Sequence, residues 1–354
     1  MTSKEPILQL DNVEVHFEQE TGFLESVLNR SNNEKVKAVD GVSIDIYEED
    51  VVILVGESGC GKTTLGKTAI GLQRPTGGSV KYRGQDIWAA KQARKPKIAF
   101  SQIRKSLQII HQDPGSALNP NQKIITSLSV PLKRWTDLNK NERIERIHQM
   151  LEFVGMSPSE DYAYRYPHQL SGGEKQRTVL IRALLMNPDV ILADEAISAL
   201  DVSLRVGMMD LFLDLQETFG TSFLSISHDL SNARYLAEKA DGRIGVMYLG
   251  KIVEIGPPEE VINNPQHPYT KALKWATSEL YEEKTQNVPL RKIDVPDPSD
   301  PPEGCRFHTR CPEAREACVQ QSPHLVEGEN SEHLCACFRT NEDHEYWQSP
   351  EIKD

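Results

Sequence analysis

The residues with the most definite chemistry are Gly56-Glu57-Ser58-Gly59-Cys60-Gly61-Lys62-Thr63-Thr64, which match the pattern G-x-x-x-x-G-K-[ST]. Such a loop curls its backbone N–H groups around phosphate oxygens, and the dipole of the helix that follows favours their negative charge. The phosphate-binding candidates are therefore Gly56, Ser58, Gly59, Cys60, Gly61, Lys62, Thr63 and Thr64. Lys62 is expected on the β- and γ-phosphates, and the Thr63 hydroxyl on Mg²⁺. Cys60 reads as an ordinary variable position of the loop rather than a redox switch. A chance match in a glycine-rich turn is the alternative, and both flanks argue against it. Val51-Val52-Ile53-Leu54-Val55 is an unbroken apolar, β-branched run, as a buried parallel strand requires. Residues 63–72 read as a helix, ended by Gly71 and Pro75.

Two further stretches complete a nucleotide-handling set. Val190-Ile191-Leu192-Ala193-Asp194-Glu195 is an apolar strand ending in two acids. Asp194 is expected to hold Mg²⁺ through its water shell, and Glu195 to polarise the water that attacks the γ-phosphate. Alone, such an ending is often a surface loop; behind an upstream phosphate loop it gains meaning. Leu170-Ser171-Gly172-Gly173-Glu174 places Ser171, Gly172 and Gly173 at a helix N-terminus, a second phosphate-binding surface by the same dipole logic. Two such surfaces on one chain can serve one nucleotide sandwiched between two copies.

The elements that must position these residues follow from the whole chain. At 354 residues, one large domain plus a smaller one is expected. The net charge of −12 argues against a nucleic-acid-coating protein, and no nucleic-acid partner is expected. The N-terminus has no apolar stretch behind a basic region, and no run approaches the roughly 18–20 apolar residues of a membrane span. A soluble cytosolic chain is the expectation. Residues 7–17 and 36–47 alternate apolar and polar residues, so a β-rich layer precedes the phosphate loop. Residues 18–35 read as a loop, and the lysines and arginines of residues 88–105 as a solvated basic insertion. A short strand over 107–111 leads to Gln112. Asn139 to Glu142 has capping-box spacing, followed by the stripe Ile144, Ile147, Met150, Leu151, Val154, which is core packing. Helices are expected over 174–186 and 208–219, a third buried strand over 222–227 leading to His228, and a hairpin around Gly250. Beyond Pro265 come a helix to about residue 280, a Pro- and Asp-rich linker over 285–304, a cysteine-bearing segment, and a polar, mobile tail over 338–354.

Five of the six cysteines fall between Cys305 and Cys337, as Cys305-x5-Cys311-x6-Cys318 followed by Cys335-x-Cys337. Structural disulfides are not expected in a cytosolic chain. Four thiolates from one short segment suit either a Cys₄ zinc site or an iron–sulfur cluster, and free thiols in a packed subdomain are the third reading.

These motifs, in this order, resemble the nucleotide-binding subunit of an ABC transporter over about residues 7–280. The resemblance implies an α/β P-loop NTPase of ABC type: a parallel core sheet, an antiparallel β subdomain, and a helical subdomain at about 113–187. It places an ABC domain over 1–264 and a small Cys-rich C-terminal extension over 265–354. It further implies that Gln112 senses the γ-phosphate and touches Mg²⁺ and the permease, and that Ser171 to Gly173 form the signature motif. Ser198-Ala199-Leu200-Asp201 becomes the D-loop, His228 the switch histidine, and Phe17 the aromatic that stacks on adenine. Asn264-Pro265-Gln266-His267-Pro268-Tyr269-Thr270 and Gly304-Cys305-x-Phe307-x-x-Arg310-Cys311-Pro312 resemble the dipeptide/oligopeptide importer branch. That branch implies a [4Fe–4S] cluster on Cys305, Cys311, Cys318 and Cys337, with zinc as the alternative. Implied partners are two transmembrane permease subunits, a second ATPase subunit, and an extracytoplasmic substrate-binding protein, with this chain peripheral on the cytoplasmic face of the membrane. Peptides are the implied substrates; relatives carry nickel or oligosaccharides. Rival readings are a soluble ABC ATPase acting on DNA or ribosomes and a non-hydrolysing partner subunit. Ala196-Ile197 and Glu174 depart from the family's Pro-Thr and Gln: the first is expected to loosen a turn, the second to put a carboxylate near the γ-phosphate.

Overall fold

A computed structural model describes residues 5–18, 35–198, 200–278, 290–292, 294–327 and 332–352. The antiparallel layer comes first. β1 (Leu8–Glu18) pairs with β2 (Lys35–Ile46) from Leu8↔Ile46 to Glu18↔Lys35, with register shifts on either side of Val13. β3 (Val51–Val55) follows; then β4 (Gly77–Tyr82) and β5 (Gln85–Asp86) complete a four-stranded sheet in the order β2-β1-β4-β5. The remaining strands are β6 (Leu107–Ile110), β7 (Val190–Asp194), β8 (Ser222–Ile226), β9 (Arg243–Tyr248), β10 (Lys251–Gly256), β11 (Val326–Glu327) and β12 (Leu334–Cys335). With β3 they form an eight-stranded sheet in the order β11-β12-β10-β9-β3-β8-β7-β6. The run from β9 to β6 is parallel, and β10, β12 and β11 extend it antiparallel.

Every residue of β3, β7 and β8 is buried, as expected of parallel strands covered on both faces. Side-chain alternation divides β3 between two cores. Val52 and Leu54 pack with Leu10, Val15, Leu65 and Ile70 under the antiparallel layer. Val51, Ile53 and Val55 face Phe212, Phe223 and Leu230 on the other side. That second core also holds Tyr269, Phe307 and Cys311, so the segment beyond residue 265 shares the main core as well as the main sheet.

Between β6 and β7 the chain is helical: Ile124–Trp135, Lys140–Phe153, Ser159–Ala163 and Gly172–Leu184. The Lys140–Phe153 helix starts at the expected capping box. Asn139 accepts from the N–H groups of Asn141 and Glu142, and Glu142 accepts from the Asn139 N–H at 2.6 Å. The structure also departs from expectation. Residues 88–105 hold two short helices, Ile87–Gln92 and Phe100–Ser106. The helix expected from residue 208 runs Val202–Phe219, because Asp201 caps it by accepting from the Leu204 N–H. The tail expected to be mobile is anchored: Tyr346 is buried beside Ala317 and Cys318, and its hydroxyl donates to the Glu313 carbonyl at 2.7 Å. The loop expected over 18–35 lies mostly outside the described residues, as do residues 279–280 of the expected helix and 285–289 of the expected linker.

Candidate nucleotide site

Four neighbouring parallel strands each end in a candidate residue. β3 feeds the phosphate loop, β8 leads to His228, β7 ends in Asp194 and Glu195, and β6 leads to His111 and Gln112. The crevice beyond the carboxyl ends of such strands is where α/β sheets bind ligands. In the loop, Gly56 and Gly61 have φ of 151° and 107°. A Cβ would lie 2.2 Å from the Met247 carbonyl oxygen at Gly56 and 2.0 Å from that of Ala38 at Gly61. The loop is thus pressed onto β9 and β2, and only glycine fits at those contacts. The Lys62 side chain is buried along the loop; its ammonium donates to the carbonyls of Gly56 (2.7 Å) and Glu57 (2.9 Å). Those are partners that phosphate oxygens can replace. Burial pushes the Cys60 thiol up, which keeps it neutral.

The Thr63 hydroxyl opens the Lys62–Ala69 helix and donates to Asp194 Oδ1 at 2.8 Å. Glu195 stands in a left-handed conformation, φ 49°, where the chain leaves β7. Its N–H donates to the Ile226 carbonyl at 3.2 Å, and its carbonyl accepts from the Ser198 N–H (3.1 Å) and hydroxyl (2.8 Å). These bonds hold the turn that Ala196 and Ile197, both buried, fill with apolar volume. The Glu195 carboxylate is met from two sides. Gln112 Nε2 donates to Oε2 at 2.9 Å, and His228 Nδ1 lies 3.6 Å from the same oxygen. Thr63, Gln112, Asp194 and Glu195 therefore line one cleft.

Lys67, His111, Asp113, Ser116 and Arg182 also line that cleft, and none of them is given a role at the site by the sequence alone. For Lys67 a signal existed: it follows Thr63 by four residues on one helix, hence on the same face. Burial lowers the pKa of His111 and of the Arg182 guanidinium.

Other candidates stand apart from the cleft. Ser171 caps the Gly172–Leu184 helix, accepting from the Glu174 N–H at 3.3 Å, while the Ser171 N–H donates to the Glu174 carboxylate at 2.6 Å. Ser171 and Gly172 are exposed, and a Cβ on Gly173 would touch Leu204 at 3.4 Å. Asp201 is exposed at its helix cap. Phe17 is 42 % exposed near the end of β1, opposite Val36. Cys305, Cys311, Cys318 and Cys337 line one small cavity beside Phe307, His308 and Tyr346. Cys335 is not among its walls; it lies fully buried in β12 opposite Glu254. Burial pushes all four cavity thiols up, Cys311 to about 12 and Cys337 to about 11. Among the described residues, no group of three or more His, Cys, Asp or Glu side chains closes around a point where a metal ion could sit.

A phosphate loop on β3, an acid pair on β7 and an intervening strand ending in histidine define an ATP-binding cassette of the P-loop type. Residues 39–198 match the family model described as ABC transporter, and residues 253–318 the one described as oligopeptide/dipeptide transporter, C-terminal region. The chain is 40 % identical over 338 residues to the oligopeptide transport ATP-binding protein AppF of Bacillus subtilis (strain 168), covering 95 % of this chain and 98 % of that one. It is 39 % identical over 321 residues to the di/tripeptide transport ATP-binding protein DppF of Pseudomonas aeruginosa (strain UCBPP-PA14), covering 91 % and 94 %. A solved structure, the dimeric post-hydrolysis state of the ATP-binding cassette MJ0796 bound to ADP and Pi, superposes with a TM-score of 0.56 at 26 % identity over 69 % of this chain and 96 % of that one. The chain belongs to the ABC transporter ATPases, in the group that carries the oligopeptide/dipeptide transporter C-terminal region. Among the described residues no helix is long and apolar enough to cross a membrane.

Proposed function

We propose that this chain is the ATP-hydrolysing subunit of an importer for di- or oligopeptides. The observation that carries the hydrolytic part is the convergence of Gln112 and His228 on one oxygen of Glu195, beside the Thr63–Asp194 hydrogen bond. The names of its relatives support the peptide part. Lys62 exchanges its loop carbonyls for the β- and γ-phosphates. Thr63, Asp194 and the amide oxygen of Gln112 would hold Mg²⁺, which supplies charge neutralisation at the phosphates. Glu195 orients the attacking water and accepts its proton, while His228 and Gln112 fix the carboxylate. Ser171, Gly172 and Gly173 sit outside the cleft, which supports a head-to-tail dimer in which they complete the site of a second ATPase, with Asp201 at the junction and Phe17 against adenine. The dimer of MJ0796 with ADP and Pi is consistent with that arrangement. Two permease subunits and a substrate-binding protein complete the proposed assembly, with this chain on the cytoplasmic face of the membrane.

We further propose that the chain divides functionally at about residue 264, the later part carrying a [4Fe–4S] cluster on Cys305, Cys311, Cys318 and Cys337. What supports the reading is the donor set: four sulfurs, the ligand type such clusters take, line one cavity. A cluster would supply the positive charge that lets these buried thiols ionise. Iron content and dithionite-bleachable visible absorbance test it; zinc without iron overturns it. The transport reading is tested with the assembled complex. Hydrolysis is expected to rise when the binding protein is loaded with peptide, and a rise with nickel or oligosaccharide alone overturns the peptide assignment.

A further inference from the structure

Glu57 lies inside the phosphate loop, yet nothing in the hydrolytic scheme uses it. All three of its polar handles are occupied. Its N–H donates to the Tyr269 hydroxyl at 2.9 Å, and its carbonyl accepts from the Lys62 ammonium at 2.9 Å. Its carboxylate is gripped by Arg310: Nη1 reaches Oε1 and Oε2 at 3.2 and 3.0 Å, and Nη2 reaches Oε1 at 3.1 Å. Arg310 is 253 residues away in the chain and immediately precedes Cys311. Its side chain is 6 % exposed against 29 % for that of Glu57. The guanidinium stands 5.8 Å from the ring centre of Tyr248 and 5.7 Å from that of Phe307. Tyr248, Tyr269 and Phe307 pack on one another with centroids 4.6 to 5.4 Å apart. A planar fork held between rings has one orientation, so the carboxylate it grips is held too.

A second tie repeats the pattern. Arg306, immediately after Cys305, donates to Asp40 of β2 and to the Leu249 carbonyl in the turn between β9 and β10. The N–H of the next turn residue, Gly250, donates to the carbonyl of Cys60 in the phosphate loop at 2.8 Å. The cysteine-bearing segment therefore reaches the phosphate loop directly at Glu57 and, by way of the β9–β10 turn, at Cys60.

We propose that Arg310 is a positioning residue for ATP binding, acting through Glu57. It does two things. It neutralises a carboxylate five residues from Lys62, where an uncompensated negative charge would oppose the polyphosphate. It also fixes the loop segment whose carbonyl holds the Lys62 ammonium, and so the register of that ammonium. Neither action touches the water-attack geometry at Glu195. The signature is therefore a change in ATP affinity with little change in turnover.

The inference rests on the phosphate loop being the ATP site, so the first measurement is ATP binding and steady-state hydrolysis by the wild-type protein in its assembled complex. Absence of ATP binding there defeats the nucleotide reading itself. Given wild-type binding, Arg310→Ala is expected to raise KM for ATP about tenfold with kcat within about twofold, and Arg310→Lys, which keeps charge but not the fork, about threefold. Adding Glu57→Gln to Arg310→Ala removes the uncompensated charge and is expected to bring KM back to within about threefold of wild type. A merely structural role predicts the opposite, because the double variant loses more contacts than the single one. An unchanged KM in Arg310→Ala, or a double variant weaker than the single, overturns the proposal. If Arg310→Ala does not fold, Arg310→Lys decides alone: an unchanged KM there overturns it.

Discussion

The nucleotide cleft and the seam behind it are built on opposite plans. In the cleft, Gln112 and His228 are exposed and Glu195 is partly so, and the Glu195 carboxylate takes a single side-chain hydrogen bond, from Gln112, with His228 standing 3.6 Å away. At the seam, where residues 253–270 meet residues 305–335, Glu254 and His333 are fully buried and His267 is 2 % exposed. There Glu254 accepts from the Gln266 N–H (2.7 Å), the His267 N–H (3.1 Å) and His333 Nε2 (2.8 Å). A site that admits ATP and water must leave its reacting groups underpacked. A seam that admits nothing can spend buried polar groups on fixing one chain segment against another. Substitutions in the cleft should therefore cost rate without stability, and substitutions in the seam stability before rate.

The largest effect expected on either side is at Glu195. Glu195→Gln keeps the shape and the hydrogen bond capacity but removes the base, so turnover should fall about 10²–10⁴-fold while ATP binding persists. Its urea midpoint should match wild type. A full loss of stability would break the contrast, and unchanged turnover would remove Glu195 from the mechanism. At the seam, Glu254→Ala leaves two backbone N–H groups and an imidazole without their buried acceptor, and should cost about 3–5 kcal/mol in denaturant unfolding. A cost under about 1 kcal/mol, within the range of ordinary surface changes, would mean that water takes over the carboxylate's role.

Acid sharpens the same contrast. Burial lowers the His267 imidazole to about 4, against the pull of Glu254 and helped by Arg339 and Lys271. An unfolded histidine titrates near 6.5, so between about pH 6.5 and 4 the unfolded chain binds a proton that the folded chain refuses. Stability from this group is full above that window and falls as pH drops through it, by up to about 3 kcal/mol. Urea midpoints between pH 7 and 4.5 should show that slope in wild type and a shallower one in His267→Gln. Equal slopes would exclude His267 as its source.

How far the molecule could be read from its residues divides along the same line. The cleft was legible because each piece is local. A β-branched run, a glycine loop and a helix adjoin in sequence, and Val190 to Glu195 carries strand and acids together. Asn139 with Glu142 announced a helix start for the same reason. The Ile124–Trp135 helix was missed because Pro131 sits inside it and Lys123 at its start offers no side-chain cap. The Leu230–Lys239 helix did carry a local signal: Asp229 as its cap, ahead of Leu230, Ala233, Leu236 and Ala237 at helical spacing. The seam was illegible because its pairs are distant: Glu254 with His333, Glu57 with Arg310, and a two-residue strand, Leu334–Cys335, that exists only as an addition to β10. Of the five cysteines, four were expected to belong together, and those four line one cavity.

The smallest effect expected is at Glu174, where sequence suggested a carboxylate poised against the γ-phosphate. The structure turns that carboxylate back onto its own helix. It accepts from the Ser171 N–H at 2.6 Å while Ser171 Oγ accepts from the Glu174 N–H, a closed capping box. Burial would raise its pKa, but the bonds to Ser171, with help from Arg165 and Tyr162, hold it below the usual carboxylate range, so it is ionised and occupied. A glutamine has an amide oxygen able to accept the same bond, and lacks only the charge that favours a helix N-terminus. Glu174→Gln should therefore cost about 0.5 kcal/mol or less in stability and change ATP turnover by less than about twofold. A severalfold rise in turnover or ATP affinity would show that the carboxylate does reach the nucleotide of a facing subunit, and that the exposed end of this helix belongs with the cleft rather than with the packed frame.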